Sequence, residues 1–154
     1  MSSPIVGILM GSESDRAVME ETAKMLERFG VPYEVIVSSA HRHPKRTREY
    51  VQSAADRGIK VIIAGAGMAA HLPGVLASET TLPVIGVPLP GSALNGVDSL
   101  YSIVQMPAGV PVAAMAIGTH GAKNAAIFAV EILALADPEL RQKLADYRAD
   151  WSRS

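Results

Sequence analysis

Short, nearly continuous apolar runs recur along the chain: Ile5-Val-Gly-Ile-Leu-Met10, Tyr33-Glu-Val-Ile-Val37, Lys60-Val-Ile-Ile-Ala64, Val84-Ile-Gly-Val87 and Val112-Ala-Ala-Met-Ala-Ile117. Runs of this length without polar alternation suit strands buried on both faces. Between them the apolar positions take helical spacing. Over residues 14–29, Val18, Thr22, Met25, Leu26 and Phe29 form one stripe, while Glu20, Glu21, Lys24, Glu27 and Arg28 fall mostly on the other side. Ser12 with Asp15, or Ser14 alone, is placed to cap this helix, and Gly30 ends it. Pro44 opens a charged amphipathic helix to about residue 56, closed by Gly58. Further helices are expected near 74–79, 96–105, 122–135 and 138–151. Strands alternating with helices predict an α/β fold: a three-layer, flavodoxin-like or Rossmann-like parallel sheet with helices on both faces, plus a C-terminal helical arm.

The length, 154 residues, fits a single domain spanning 1–154. Its last helix, residues 137–154, is polar enough to lie on a neighbouring subunit. Charge is unevenly distributed. Residues 58–136 hold only Lys60, Glu79, Asp98, Lys123 and Glu131. The helices of that stretch must then turn Ala, Met, Leu or Val outward, which predicts an interface between identical subunits. A net charge of −1 gives no long-range attraction to nucleic acid or anionic lipid. The absence of cysteine excludes disulfides and thiolate chemistry, and fits a reducing compartment. Neither a signal peptide nor a membrane span is expected, so the reading is a soluble, cytoplasmic protein.

In an open parallel sheet, ligands bind beyond the carboxyl ends of the strands, and three loops with chemical potential fall there. In Gly11-Ser-Glu-Ser-Asp15, the hydroxyls of Ser12 and Ser14 and the free amides of a helix start suit an anion. Asp15 suits a ribose hydroxyl or an amine. In Ser39-Ala-His-Arg-His-Pro44, Arg42 offers a donor fork for phosphate or carboxylate, and His41 lies nearer the strand mouth than His43. In Gly67-Met-Ala-Ala-His-Leu-Pro-Gly74, small residues permit close backbone approach, and His71 stands in an otherwise apolar segment. Gly65-x-Gly67-x-x-Ala70 satisfies a loose dinucleotide fingerprint, but it follows the third strand and lacks the acidic residue further on. His41, His71 and His120 sit on separate strand-end loops without metal-ligand spacing, and no Gly-x-Ser-x-Gly elbow appears. The residues by themselves point to an enzyme binding a small phosphorylated ligand, with histidine acid–base chemistry, or to a nucleotide-binding module without chemistry.

The loops together resemble a known family. Gly11-Ser-x-Ser-Asp15, Ser39-Ala-His-Arg42, Ala64-Gly-Ala-Gly67, Ala69-Ala-His-Leu-Pro-Gly74, Gly86-Val-Pro88 and Asp98-Ser-Leu-Tyr-Ser-Ile-Val-Gln-Met-Pro107 are similar, in order and spacing, to the bacterial class I 5-(carboxyamino)imidazole ribonucleotide mutases of purine biosynthesis, within the phosphoribosylaminoimidazole carboxylase catalytic-subunit family. The likeness runs from about residue 5 to 150. It implies an isomerase that moves a carboxylate from the exocyclic nitrogen of an aminoimidazole ribonucleotide to ring carbon 4. No metal, biotin, ATP or other cofactor is implied, and the assembly implied is a homo-octamer with sites at subunit contacts. It also implies roles for residues. Ser12, Asp15 and Arg42 would contact the ribose phosphate, with Ser14, Ser39 and Ala40 beside them. His41 would be the acid–base residue. Ala66, Gly67, Ala69, Ala70, His71 and Leu72 would line the pocket for the base and the migrating carboxylate.

A second branch of that family carboxylates the aminoimidazole with free CO2, and it typically has Lys after the loop histidine and lacks His-Leu-Pro-Gly. Arg42 and His71-Leu-Pro-Gly74 align this chain with the mutases. It departs from them at Met68, where Gly is usual, and at His43, where Thr is usual.

Overall fold

A computed structural model describes residues 2–152. Five parallel strands form one sheet in the order β2-β1-β3-β4-β5: β1 (Val6–Met10), β2 (Tyr33–Val37), β3 (Val61–Gly67), β4 (Val84–Leu89) and β5 (Ala113–Ala114). This order is flavodoxin-like, and it puts the topological switch between β1 and β3. Six helices join and cover the strands: α1 (Arg16–Arg28), α2 (Pro44–Ala54), α3 (Leu72–Ser78), α4 (Val97–Val104), α5 (Thr119–Ala134) and α6 (Pro138–Ser152).

The alternation of side chains along each strand divides the core in two. Val6, Ile8 and Met10 of β1, with Val61 and Ile63 of β3, pack under α1 and α5. Leu9, Ile62, Ala64 and Ala66 point the other way, onto Val51 and Ala54 of α2, Leu72 and Leu76 of α3 and Ile103 of α4. Burial on both faces is the reason these strands read as unbroken apolar runs. On α1, the buried stripe consists of Met19, Thr22, Ala23 and Leu26, with Val18 and Met25 only partly covered. The Thr22 hydroxyl donates to the carbonyl of Ala122 at 2.7 Å, so a buried polar group is satisfied across the helix pair.

Several boundaries differ from the sequence expectation. A 3₁₀ turn at Glu13–Asp15 precedes α1. Ser12 caps that turn by accepting from the Ser14 amide, and Asp15 makes no side-chain cap on α1. β3 and β4 run on to Gly67 and Leu89, Pro88 included. Pro88 is tolerated because β5 pairs with β4 only at Ile85 and Gly86, so the missing N–H faces no ladder partner there. β5 shrinks to Ala113–Ala114, although the chain beyond it stays beside β4, the amides of Met115 and Gly118 donating to the carbonyls of Gly86 and Pro88 at 2.9 Å. α3 starts at Leu72 because Pro73 is compatible with a first helical turn. α5 starts at Thr119, and His120 is therefore an exposed residue of its first turn, not of a strand-end loop.

The polar α6 packs on its own chain. Leu140 is buried, the Lys143 ammonium donates to the Phe29 carbonyl at 3.1 Å, and the Tyr147 ring meets Phe29 edge-on at 5.4 Å. No described helix is long and apolar enough to cross a membrane.

Candidate active site

The carboxyl ends of β1, β2, β3 and β4 open into one cleft of about 670 Å³. The β1 loop supplies Gly11, Ser12, Ser14 and Asp15; the β2 loop supplies Ser39, Ala40, His41 and Arg42. Ala66, Gly67, Met68, Ala69, His71 and Leu72 come from the end of β3 and the start of α3. Pro90, Gly91 and Ser92, after β4, close the remaining side.

Each loop is held in place by its own hydrogen bonds. In the first, the Ser14 hydroxyl lies 3.0 Å from that of Ser12. Arg16 is engaged by Glu13 through two bonds of 2.7 and 2.9 Å, which turns it away from the cleft. Burial raises the Asp15 carboxyl above its ordinary value, offset in part by the backbone of Ser12. In the second loop, the Ser38 amide donates to the Met10 carbonyl at 2.9 Å, carrying the β1–β2 pairing one residue beyond the strand. Buried Ser38 and Thr47 share a 2.7 Å hydroxyl contact, and the Arg42 amide donates to the Ser39 hydroxyl at 3.1 Å. His43 is the residue before the first turn of α2, outside the cleft lining. The Arg42 guanidinium has no hydrogen-bond or ion-pair partner among the described residues, and so is free to bind an anion.

His41 and His71, thirty positions apart in sequence, meet in the cleft. His41 Nε2 lies 2.6 Å from His71 Nδ1, and the rings cross at 77° with centroids 4.7 Å apart. At that distance one hydrogen lies between the facing nitrogens, since two N–H groups cannot point at each other. Each ring thus orients the other and couples its tautomer to its partner's. This pair joins the β2 and β3 loops directly.

All but one of the residues expected from sequence line the cleft. The exception is Ala70, which is buried against the α2–α3 side of the core, while its neighbours Ala69 and His71 face the opening. The chain doubles back there, the His71 amide donating to the Ala69 carbonyl at 2.8 Å, and this turn rotates Ala70 inward. Met68, within the segment from Gly67 to Leu72 expected at the pocket, lines it as well, while sequence reading did not assign Gly11, Pro90, Gly91 or Ser92 to the site. The Pro-Leu-Pro-Gly run after the fourth strand was the available signal for the last group. Ser92 donates to Asp98 at 2.8 Å, fixing this loop to α4. His120 stays outside, and no cluster of three or more metal-ligating side chains occurs among the described residues.

The chain is 60% identical over 150 residues to the N5-carboxyaminoimidazole ribonucleotide mutase of Pyrococcus horikoshii, covering 97% of this chain and 84% of that one. It is 57% identical over 150 residues to the protein of the same name in Thermotoga maritima, covering 97% and 86%. Among solved structures, Treponema denticola PurE superposes with a TM-score of 0.87 at 32% identity, covering 97% of this chain and 92% of that one. Residues 5–154 match the AIR carboxylase family along their whole extent, and the chain belongs to that family.

Proposed function

We propose that this chain is an N5-carboxyaminoimidazole ribonucleotide mutase, an isomerase that converts the N-carboxylated aminoimidazole ribonucleotide into its 4-carboxy isomer in purine biosynthesis. In this reading residues 1–154 act as one catalytic domain, in the cytoplasm, within a homo-octamer. The ribose phosphate lies against Ser12, Ser14 and the Arg42 guanidinium, where hydroxyls, amides and a free cation converge. Asp15, partly buried beside them, accepts from a ribose hydroxyl. The base enters between the His41–His71 pair and the small residues Ala66, Gly67 and Ala69, with Leu72 behind.

The chemistry follows from proton balance. His41, protonated, gives its proton to the exocyclic nitrogen; the nitrogen–carbon bond breaks and its electron pair stays on nitrogen. Neutral CO2 is released within the cleft. Ring carbon 4 attacks that CO2 to form the new carbon–carbon bond, and His41 takes the proton that carbon 4 loses. The residue returns to its starting state, so the reaction is an isomerisation with no net hydrolysis or redox change. Holding CO2 within contact distance of carbon 4 replaces an encounter with the dilute gas by a high effective concentration.

The observation that carries this reading is the His41 ring, oriented by His71 at the mouth shared by the three loops. Its test is His41→Asn. The variant should fold and bind a ribonucleotide analogue, yet interconvert the two carboxylates at roughly a hundredth of the normal rate or less. Near-normal conversion would remove His41 from the reaction. Free-CO2 carboxylation, the activity in the family's name, would use the same contacts. Labelled bicarbonate separates the two: retention of the substrate's own carboxyl supports the mutase, and label in the product supports carboxylation.

A further inference from the structure

We propose that Met68 retains CO2 during the transfer, its side chain folding over the mouth of the cleft beside His41 and His71. The inference rests on the mutase reading above. Met68 follows the last residue of β3 with φ at 54°, in the left-handed region that disfavours any residue with a Cβ. The residue is 65% exposed, so little apolar burial offsets that strain. Glycine would fit this backbone better, and neither packing nor local conformation accounts for a methionine. Its position does: Met68 lines the same cleft as the histidine pair.

The neighbouring cleft residues Ala66, Gly67 and Ala69 are too small to cover an opening, leaving Met68 as the long apolar chain of the β3 loop. CO2 is uncharged and makes only weak hydrogen bonds, so enclosure by apolar surface is the available means of holding it. Methionine, unbranched with three rotatable bonds, can lie across a bound base and lift away for product release. Its exposure at the cleft lining places it at the opening, away from the core.

The test compares wild type, Met68→Gly and Met68→Leu, supplied with the N-carboxylated substrate in 13C-bicarbonate. Three signals are followed: isomerised product, decarboxylated aminoimidazole ribonucleotide, and label in the product, each corrected for the reaction without enzyme. Met68→Gly should be at least as heat-stable as wild type. It should also release decarboxylated ribonucleotide, or take up label, about threefold more per turnover. Met68→Leu, which keeps an apolar chain of similar volume, should restore retention. Equal retention in folded, active Met68→Gly would overturn the proposal. So would a change confined to assembly mass by light scattering, which would mean that Met68 meets a second copy of the chain. No isomerisation by wild type would overturn the mutase reading itself, a result distinct from either.

Discussion

In the proposed mechanism His41 acts as acid and base in turn, which requires its ring to be aimed at the reacting atom, and one other side chain sets that aim. Both rings are exposed, so packing does not hold them; the 2.6 Å contact between Nε2 of His41 and Nδ1 of His71 does. Replacing His71 by Phe keeps an aromatic ring but removes the nitrogen. His71→Phe should lower the turnover rate roughly tenfold while leaving the affinity for a ribonucleotide analogue near wild type, because the proposed phosphate contacts lie on other loops. Steady-state kinetics with an analogue titration checks this. Unchanged turnover would show that His71 does not position His41. The pairing itself was not legible in the sequence. His41 and His71 were each recognisable as ionisable residues at strand ends, but their contact depends on β1 lying between β2 and β3 in the sheet, a matter of strand order. Ala70 failed for a more local reason. It is as small as the residues on either side of it, and only the backbone turn from Ala69 to His71 decides which of them faces the cleft.

At the scale of elements, the five strands and six α-helices were each expected near their places, because strands covered on both faces and amphipathic helices leave different patterns, while the 3₁₀ turn at Glu13–Asp15 left none. Ends were less so. α3 and α5 begin earlier than their apolar spacing indicates, at Leu72 and Thr119. Contacts between elements are also invisible to periodicity. Glu34 of β2 accepts from Tyr50 of α2 at 2.7 Å and from Arg57, just past that helix, at 2.8 Å, fixing the helix that carries the second site loop. The Arg57 guanidinium, and less strongly the Tyr50 hydroxyl, hold the Glu34 carboxyl below its ordinary value of 4.5, against the opposing effect of burial. A carboxylate whose folded pKa lies below its unfolded one stabilises the fold above the unfolded value. That contribution fades as pH falls from about 4.5 through the folded value. Glu34→Gln should therefore be less stable than wild type at pH 7, with the gap narrowing as pH falls below about 4.5. Thermal unfolding across pH measures this. A gap that stays constant into acid would mean that the Glu34 charge does not contribute.

Over the whole molecule, the chain leaves apolar and site-forming side chains exposed. His41, Arg42, Met68 and His71 are all exposed around the cleft mouth, an open arrangement for the proposed transfer, in which a neutral gas has to be kept from escaping. Close by, Leu94, Val97, Tyr101 and Val104 follow one another at helical spacing along the outer side of α4 and the turn before it, and all four are exposed. Leu94 and Tyr101 are more than 60% accessible. The same helix is anchored inward by buried Ser99 and Ile103, so the outer stripe cannot turn into its own core. The low charge of residues 58–136 and this stripe are one property seen in sequence and in space, and both fit the surface of α4 being an interface between copies of the chain. The Ser92–Asp98 bond ties that surface to the last cleft loop, so assembly and site would be linked. Tyr101→Glu would place a charge in the middle of the stripe. It should shift the protein from an oligomer toward species of smaller mass in light scattering, with Tm lowered and conversion of the ribonucleotide falling along with the assembly. A wild-type protein that remains a 16.2 kDa monomer at micromolar concentration would refute the interface, as would a Tyr101→Glu variant with the mass of wild type.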